Sequence, residues 1–597
     1  MKKYCLVFVL TVGFAASCAG QIDFTQFHHP ATLQNDMQNL ISTHPLLATG
    51  FTIGNSVNGL PIQGIKISLN PGVDDPAKGD LIFVGLHHAR EWLAAEMPLY
   101  LAEYLLTHYA TDPGLQTCMN HVQIWIIPVL NPDGYAFTQT PANRYWRKNR
   151  RNNGDGTFGV DLNRNYSYQW GLGSGAGGSH NTFDDTYIGP SSFSEPETVA
   201  LRDFIQTRHN PRGLVSYHTF SELFLRPWSF TLSDPPGAPT LQYIQQDSIA
   251  RMTAVHGTLY SPNLPYFSFG EATDYFWNGM RLAGFTPEMR PSPANGLNGF
   301  SPDPSQIIPN NEENLPAALA LVHDAGCTYL WIGDYAGDIG TEPSAVWLGD
   351  HWSHEFWVSP DISTVPGTLV GGSTVTLNIT VHNDGPGPQF NAIVRAYYTD
   401  PRISLEFPNP AAVLIGEQTV PFLHPGSTTV SFPWTVPMGT NSWGEYHWCV
   451  GAIVMHPDDR PLTTQIQLSS NIGGRNFQTV PVIAGLQNLF VAVTNYFNVP
   501  VEYEMNIDKT ALPRGWNLLA PRLQTQRKPN RKAMLLGVTG MVLEPGETII
   551  QPLQLSVPKS ARTGMRTVIK VNGVLKPLVA GKRVPSGNGY TFDVRVK

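Results

Sequence analysis

The segment Gly85-Leu86-His87-His88-Ala89-Arg90-Glu91 sets a histidine and a glutamate three residues apart, directly after an apolar run. Side chains at i and i+3 of a helical turn point the same way. His88 and Glu91 could therefore hold one metal ion, and an imidazole with a carboxylate suits Zn²⁺. Alone, the pair is a frequent coincidence. A catalytic zinc needs a third protein ligand and keeps one position open. Val215-Ser216-Tyr217-His218-Thr219 ends a second β-type run with a histidine. Gly284-Phe285-Thr286-Pro287-Glu288-Met289-Arg290 ends a third with a carboxylate. Open α/β sheets gather their active sites at the carboxyl ends of strands, which is where all four residues would sit.

The strands must exist for that to happen. Residues 81–86 and 122–129 are almost wholly apolar, and residues 91–110 between them have helical spacing. Residues 312–325 read as a last helix before Gly326. Near-continuous apolar strands alternating with helices predict an α/β domain with a mixed, largely parallel sheet covered on both faces. We assign it to residues 21–327, followed by a Gly-, Asp- and Trp-rich linker over 328–355. Beyond that the period becomes 2. Val375, Leu377, Ile379 and Val381 alternate with polar residues and meet the turn signal Asn383-Asp384-Gly385. A weak repeat follows, from Leu423-His424-Pro425-Gly426 to Thr435-Val436-Pro437 and again from Leu543-Glu544-Pro545-Gly546 to Ser556-Val557-Pro558. Two tandem all-β sandwich modules of immunoglobulin-like size, over 356–480 and 481–597, account for both the repeat and the alternation.

The chain has 597 residues, room for more than one domain. Its net charge, 38 − 46 = −8, argues against a general nucleic-acid binder. The charge is uneven: residues 501–597 carry 16 Lys+Arg against 6 Asp+Glu, and residues 1–500 carry 22 against 40. The basic end fits contact with an anionic surface such as a cell envelope, or an inert basic sandwich. Residues 1–20 read as a signal peptide: Lys2-Lys3, a short apolar run, then small residues. The product is expected to be secreted or periplasmic, soluble and monomeric; Cys18 also allows lipoprotein anchoring. Cys118, Cys327 and Cys449, left after cleavage at Cys18, would make no disulfide framework.

At this point the sequence resembles a known family, the zinc metallocarboxypeptidases (peptidase M14) related to pancreatic carboxypeptidases A and B and bacterial carboxypeptidase T. The resemblance covers roughly residues 23–325. Its motifs are Ile53-Gly54-Asn55-Ser56-x-x-Gly59, His88-Ala89-Arg90-Glu91, Asn131-Pro132-Asp133-Gly134-Tyr135 and Asn143-Arg144-Tyr145-Trp146-Arg147-Lys148-Asn149-Arg150. Gly159-Val160-Asp161-Leu162-Asn163-Arg164-Asn165, Tyr187-x-Gly189, Glu195-Pro196-Glu197, Tyr217-His218 and Gln306-Ile307-Ile308-Pro309 complete the set.

The resemblance implies that His88, Glu91 and His218 bind one Zn²⁺ and that Asp161 holds His88 in one tautomer. It makes Glu288 the catalytic carboxylate and sets Arg147 against the scissile carbonyl oxygen. Asn163 and Arg164, aided by Tyr266, would clamp the substrate's terminal carboxylate, and Arg90 would bind the peptide further up. Phe269 departs from the small residue usual near Tyr266. The chemistry is coherent in its own right. Zinc lowers the pKa of water to about 7, Glu288 can take the proton as general base, and a guanidinium matches a carboxylate bidentately. By family spacing, Leu225, Ser229, Ser268, Glu271, Thr273 and Thr286 line the pocket for the terminal side chain. Thr273 should admit apolar groups and Glu271 could reach a Lys or Arg head, so mixed apolar and basic specificity is expected.

His87 reads as structural, His28, His29 and His256 as loop or surface residues, and Arg144, Arg150 and Arg151 as groups that solvate a loop. The family's mature start follows almost directly on the signal peptide, so no folded pro-domain is expected. The leading expectation is a zinc exopeptidase acting on peptide or protein C-termini. The alternatives are a cell-wall amidopeptidase of the same superfamily and an inactive surface-binding protein.

Overall fold

The structure, a computed structural model, describes residues 22–326 apart from 77, 236, 237, 264 and 281. Beyond them it describes 330–336, 338 and 356–596, apart from 368, 384–388, 401–411, 424–425, 439–447, 457–471, 478, 496–499, 509–510, 521–536 and 578–585. The expected signal peptide, Cys18 and most of the expected linker lie outside the described residues.

The first sheet contains β1 (Ala48–Asn55), β2 (Pro61–Ile67), β3 (Gly79–Gly85), β4 (Val122–Ile127), β5 (Pro211–Thr219), β6 (Leu223–Leu225) and β7 (Gly284–Met289). Its spatial order is β1-β2-β4-β3-β5-β7-β6. The central pairs β4·β3, β3·β5 and β5·β7 are parallel, and the outer pairs are antiparallel. The helices are α1 (Pro30–Thr43), α2 (Leu93–His108), α3 (Pro113–Met119), α4 (Pro132–Phe137), α5 (Pro196–Gln206), α6 (Ala238–His256), α7 (Ala272–Met280) and α8 (Ile307–Gly326).

The central strands are apolar throughout because both their faces are covered. Along β3, Leu81 and Phe83 enter the core shared with α1, α2, α3, α6 and α8, while Ile82 and Val84 enter the core shared with α5 and α7. At the end of β3, a Cβ on Gly85 would lie 2.0 Å from the carbonyl oxygen of Ala94 on α2. Only glycine allows that approach, and it sets where the chain leaves the sheet.

Cys118 on α3 is disulfide-bonded, with its partner outside the described residues, and Cys449 is a thiol; one disulfide is no framework. His28 lies in a loop, as expected, but it is buried there, with Nδ1 2.7 Å from Glu96 Oε2 and Nε2 3.2 Å from Asp36. Its backbone N–H also donates to Glu96 at 2.8 Å, tying the segment before α1 to α2. His29 and His256 are exposed.

A buried carboxylate pair lies at the start of α5. Asn149 Nδ2 donates to Glu195 Oε2 at 2.7 Å and to Glu197 Oε2 at 3.2 Å. Burial pushes Glu197 up to about 7, with Glu195 adding to the effect. A carboxyl raised on folding contributes stability that is fully present below its unfolded pKa, near 4.5, and is lost as pH rises through 7. Glu197→Gln, neutral at every pH, should flatten the decline in unfolding free energy between those two values. Identical slopes in the two proteins would exclude Glu197 as its source.

After α8 come β8 (Leu330–Trp331), β9 (Ile362–Val365), β10 (Thr374–Asn383), β11 (Gln389–Thr399), β12 (Val413–Leu423), β13 (Gly426–Thr435), β14 (Trp448–Met455) and β15 (Ile472–Phe477). A second group comprises β16 (Thr479–Val482), β17 (Gly485–Thr494), β18 (Val501–Asp508), β19 (Asn517–Leu519), β20 (Gly537–Leu543), β21 (Thr548–Val557), β22 (Arg566–Pro577) and β23 (Ser586–Val596). In the first group β10 pairs with β13, beside a sheet ordered β12-β11-β14-β15. In the second, β17 pairs with β21, beside β20-β18-β22-β23. The succession is the same, and so is a detail: Asn383 Nδ2 donates to Leu423 O at 3.0 Å, and Asn495 Nδ2 to Leu543 O at 2.9 Å. These leucines open the two arms of the sequence repeat. All pairings are antiparallel except β16·β23. The segment read as linker is not all linker, since Leu330 and Trp331 pair with β10, and Leu330 and Ile332 are buried in that module's core. A two-residue strand is too short to show a period. Among the described residues, no helix is long and apolar enough to cross a membrane.

Candidate active site

Strands β3, β5 and β7 lie side by side, and the four chemistry-bearing residues meet at their carboxyl ends. His218 and Glu288 are register partners across β5 and β7. After β3 the chain turns out at Leu86, which has φ 55°. Glu91 N–H then donates to His88 O at 3.2 Å. The pair thus occupies a tight turn ahead of α2 rather than the helix itself, and the turn keeps the two side chains together.

His88 Nδ1 lies 2.9 Å from Glu91 Oε1, His218 Nδ1 lies 3.0 Å from Glu91 Oε2, and the two Nδ1 atoms are 3.1 Å apart. All three residues are buried. A tetrahedral zinc with N and O ligands at about 2.0–2.1 Å holds its donors roughly 3.3 Å apart. Two imidazole nitrogens and a carboxylate at such spacing fit that ion.

Asp161 accepts from His88 Nε2 at 3.0 Å through Oδ1 and from Arg147 Nε at 2.9 Å through Oδ2, so one carboxylate orients both. It also caps the turn that carries Asn163 and Arg164, accepting from Asn163 N–H at 3.0 Å. Burial opposes the charge on Asp161, yet Arg147 and His88 outweigh it and hold the carboxyl well below its ordinary range.

An open cavity of about 200 Å³ adjoins the triad. Its wall includes Arg147, Asn163, Arg164, Leu225, Tyr266, Ser268, Glu271, Thr286 and Glu288. Thr219, Phe220, Ser221, Leu223, Pro265 and Phe300 also line it, and no sequence pattern marked them. Arg164 is buried, and its Nη1 donates to Glu271 Oε1 at 3.0 Å. Ser268 Oγ donates to the same oxygen at 2.5 Å. Asn163 Oδ1 accepts from Ala272 N–H at 3.0 Å, which leaves its NH₂ as the free donor. Tyr266 is 47% exposed at the rim.

Ser229 and Thr273, expected in the pocket, are not on this wall, and neither is Arg90, expected to bind the peptide further up. Ser229 lies behind Ser268, whose N–H it accepts at 2.9 Å, while its own N–H donates to Asp274. Thr273 packs over the start of β7, where a Cβ on Gly284 would be 3.1 Å from Thr273 Cβ. Arg90 is tied to Asp185 at 2.8 Å and stacks 4.0 Å from the Phe300 ring, so it braces the wall from behind. The other arginines do more than solvate a loop. Arg144 donates to Arg90 O and Phe300 O and stacks on Trp92, Arg150 stacks on Phe137, and Arg151 pairs with Glu195.

Residues 33–317 match the family model described as zinc carboxypeptidase, peptidase M14. Carboxypeptidase A2 of Rattus norvegicus is 31% identical over 299 residues, covering 49% of this chain and 69% of that protein. Carboxypeptidase B of Astacus astacus is 31% identical over 318 residues, covering 52% of this chain and 100% of that protein. The crystal structure of carboxypeptidase A from Helicoverpa armigera is 28% identical, with TM-score 0.45, over 52% of this chain and 77% of that one. A relative matched along its whole length at this identity carries the α/β unit with it: the chain belongs to the zinc carboxypeptidase family, metalloenzymes whose cofactor is Zn²⁺.

Proposed function

We propose that the chain removes single residues from the C-termini of peptides and proteins, with His88, Glu91 and His218 holding one zinc ion. One observation carries this reading: a buried arginine, Arg164, lines one cavity with Glu288 and with His88 and Glu91, two of the three residues that could hold the ion. Bound there, zinc supplies Lewis-acid chemistry, acidifying water and polarising a carbonyl.

Glu288 accepts the proton of the attacking water and returns it to the leaving amine. Burial first and Glu91 second push Glu288 up to about 8, and a divalent cation held by Glu91 would act in the opposite direction. Arg147, aimed by Asp161, donates to the oxygen on which negative charge develops. Arg164 and the NH₂ of Asn163 bind the terminal carboxylate, with Tyr266 beside them. Zinc stoichiometry with hydrolysis of a blocked dipeptide tests the reading. One zinc per chain and release of the terminal residue are expected. Zinc without hydrolysis would favour a binding protein, and cleavage of cell-wall peptides alone would favour an amidopeptidase.

The specificity we propose is mixed, with apolar and basic terminal residues both accepted. The Glu271–Arg164 pair supports it. A terminal carboxylate that takes Arg164 displaces Glu271, whose charge then needs a partner, and a Lys or Arg head group provides one. Glu271→Gln should lower kcat/KM for Lys and Arg substrates about 10–100-fold, the worth of a charged hydrogen bond, and leave Phe and Leu substrates unchanged or faster. Equal effects on both groups would remove Glu271 from this role.

Export through residues 1–20, and attraction of the basic C-terminal region to an anionic surface, complete the proposal. Much of that basic charge lies outside the described residues. A chain ending at residue 329 should keep peptidase activity, because β8, which begins at Leu330, already belongs to the next module. Binding of the full chain to anionic vesicles should weaken as salt is added, and salt-independent binding would contradict the electrostatic idea.

A further inference from the structure

We infer that His87 is a positioning residue for His218, acting through Ser216 in a buried hydrogen-bonded chain that ends on Tyr166. The inference rests on the reading of His218 as a zinc ligand. His218 turns Nδ1 toward His88 and Glu91, so a metal there needs the lone pair on Nδ1 and the ring proton on Nε2. That Nε2 lies 3.0 Å from Ser216 Oγ, which must accept. Ser216 Oγ is 3.2 Å from His87 Nδ1, and its hydroxyl proton goes there. His87 is then protonated on Nε2, which lies 3.0 Å from the Tyr166 hydroxyl and donates to it. This arrangement places every proton of the chain except that of the Tyr166 hydroxyl, at which it ends.

A serine hydroxyl rotates freely unless its proton is committed. His87 commits it sideways and keeps an oxygen lone pair aimed at His218. The four side chains are at most 1% exposed, so water is poorly placed to replace a missing member. The two rings also stack, with centroids 5.3 Å apart and planes 24° apart, which limits tilting of His218. The contrast with the other ligand has an electrostatic reason. His88 is held by a carboxylate, Asp161. Glu91, Asp161 and Glu288 already crowd the site, so a second carboxylate behind His218 would add repulsion, whereas a neutral chain orients the ring at no cost in charge.

A packing role and a positioning role differ in which ring atom matters. His87→Asn places an amide where Nδ1 was, keeping a partner for Ser216. His87→Gln places it where Nε2 was, keeping Tyr166 but losing Ser216. Zinc affinity of the full-length protein, measured by competition with a chromogenic chelator, is the readout, together with the unfolding temperature of each metal-free variant. Ser216→Ala and His87→Gln should each weaken zinc binding about 10–100-fold, with His87→Asn within about threefold of the parent. The double variant His87→Gln/Ser216→Ala should be no weaker than Ser216→Ala alone. Unchanged affinity in Ser216→Ala, a small and conservative replacement, overturns the inference even if the His87 variants fail to fold. Equal losses in the Asn and Gln variants also overturn it. Failure of the parent protein to bind zinc would instead overturn the reading on which it rests.

Discussion

Glu288→Gln should still bind one zinc ion and yet lose nearly all turnover, on the order of 10⁴-fold in kcat. The substitution keeps the shape of the side chain and removes only its ability to take a proton. Glu288 lies beside the ligand cluster without belonging to it, which is why metal content and activity should part company. His218→Ala supplies the contrast. It deletes a buried nitrogen 3.0 Å from Glu91 and 3.1 Å from His88, so metal and activity should fall together. Metal analysis and kcat/KM on one blocked dipeptide, run on both variants, check this. Near-normal turnover in Glu288→Gln would end its role as general base. Loss of zinc in that variant would make it a ligand instead.

The parts of this site that could be read from the sequence are those where residue type alone restricts the chemistry. A His and a Glu three apart after an apolar run, and a second His and Glu each closing another run, presuppose adjacent strands. The strands were legible because a sheet covered on both faces leaves no polar alternation, as Leu81 to Val84 illustrate. The β modules were legible for the opposite reason, their period of 2, and the repeat survived because Leu423 and Leu543 receive the same asparagine bond. Other features were hidden by physical causes. Thr273 and Ser229 have the right spacing for a pocket, but spacing does not say which side of a turn faces the cavity. His28 looked like one more histidine near the chain start, since its partners Glu96 and Asp36 come from two different helices. His87 stands next to a ligand and carries no pattern of its own, because its partners Ser216 and Tyr166 are brought to it only by folding.

Converting a substrate's C-terminal carboxylate to an amide should lower kcat/KM by about 10⁴–10⁵, the discrimination available to a site built around a polar group that the analogue lacks. The geometry gives two reasons for so large a loss. Arg164 is 2% exposed, so water screens its charge little, and its Nη1 already binds one carboxylate, that of Glu271, on the cavity wall. Asn163 has spent its amide oxygen on Ala272 N–H and offers only donors. An amide would set its own NH₂ against these donors, with one acceptor where a carboxylate has two. Glu271 is a rival for the same guanidinium. It holds Arg164 at 3.0 Å before substrate arrives, and a neutral amide lacks the charge to compete for that guanidinium. The same competition predicts that Glu271→Gln widens the gap between acid and amide, because the acid no longer has to displace a rival carboxylate and the amide gains less from the freed guanidinium. Rates on matched acid and amide dipeptides, measured for the parent and for Glu271→Gln, decide the matter. Equal rates on the two substrates in the parent would mean that Arg164 does not read a free C-terminus.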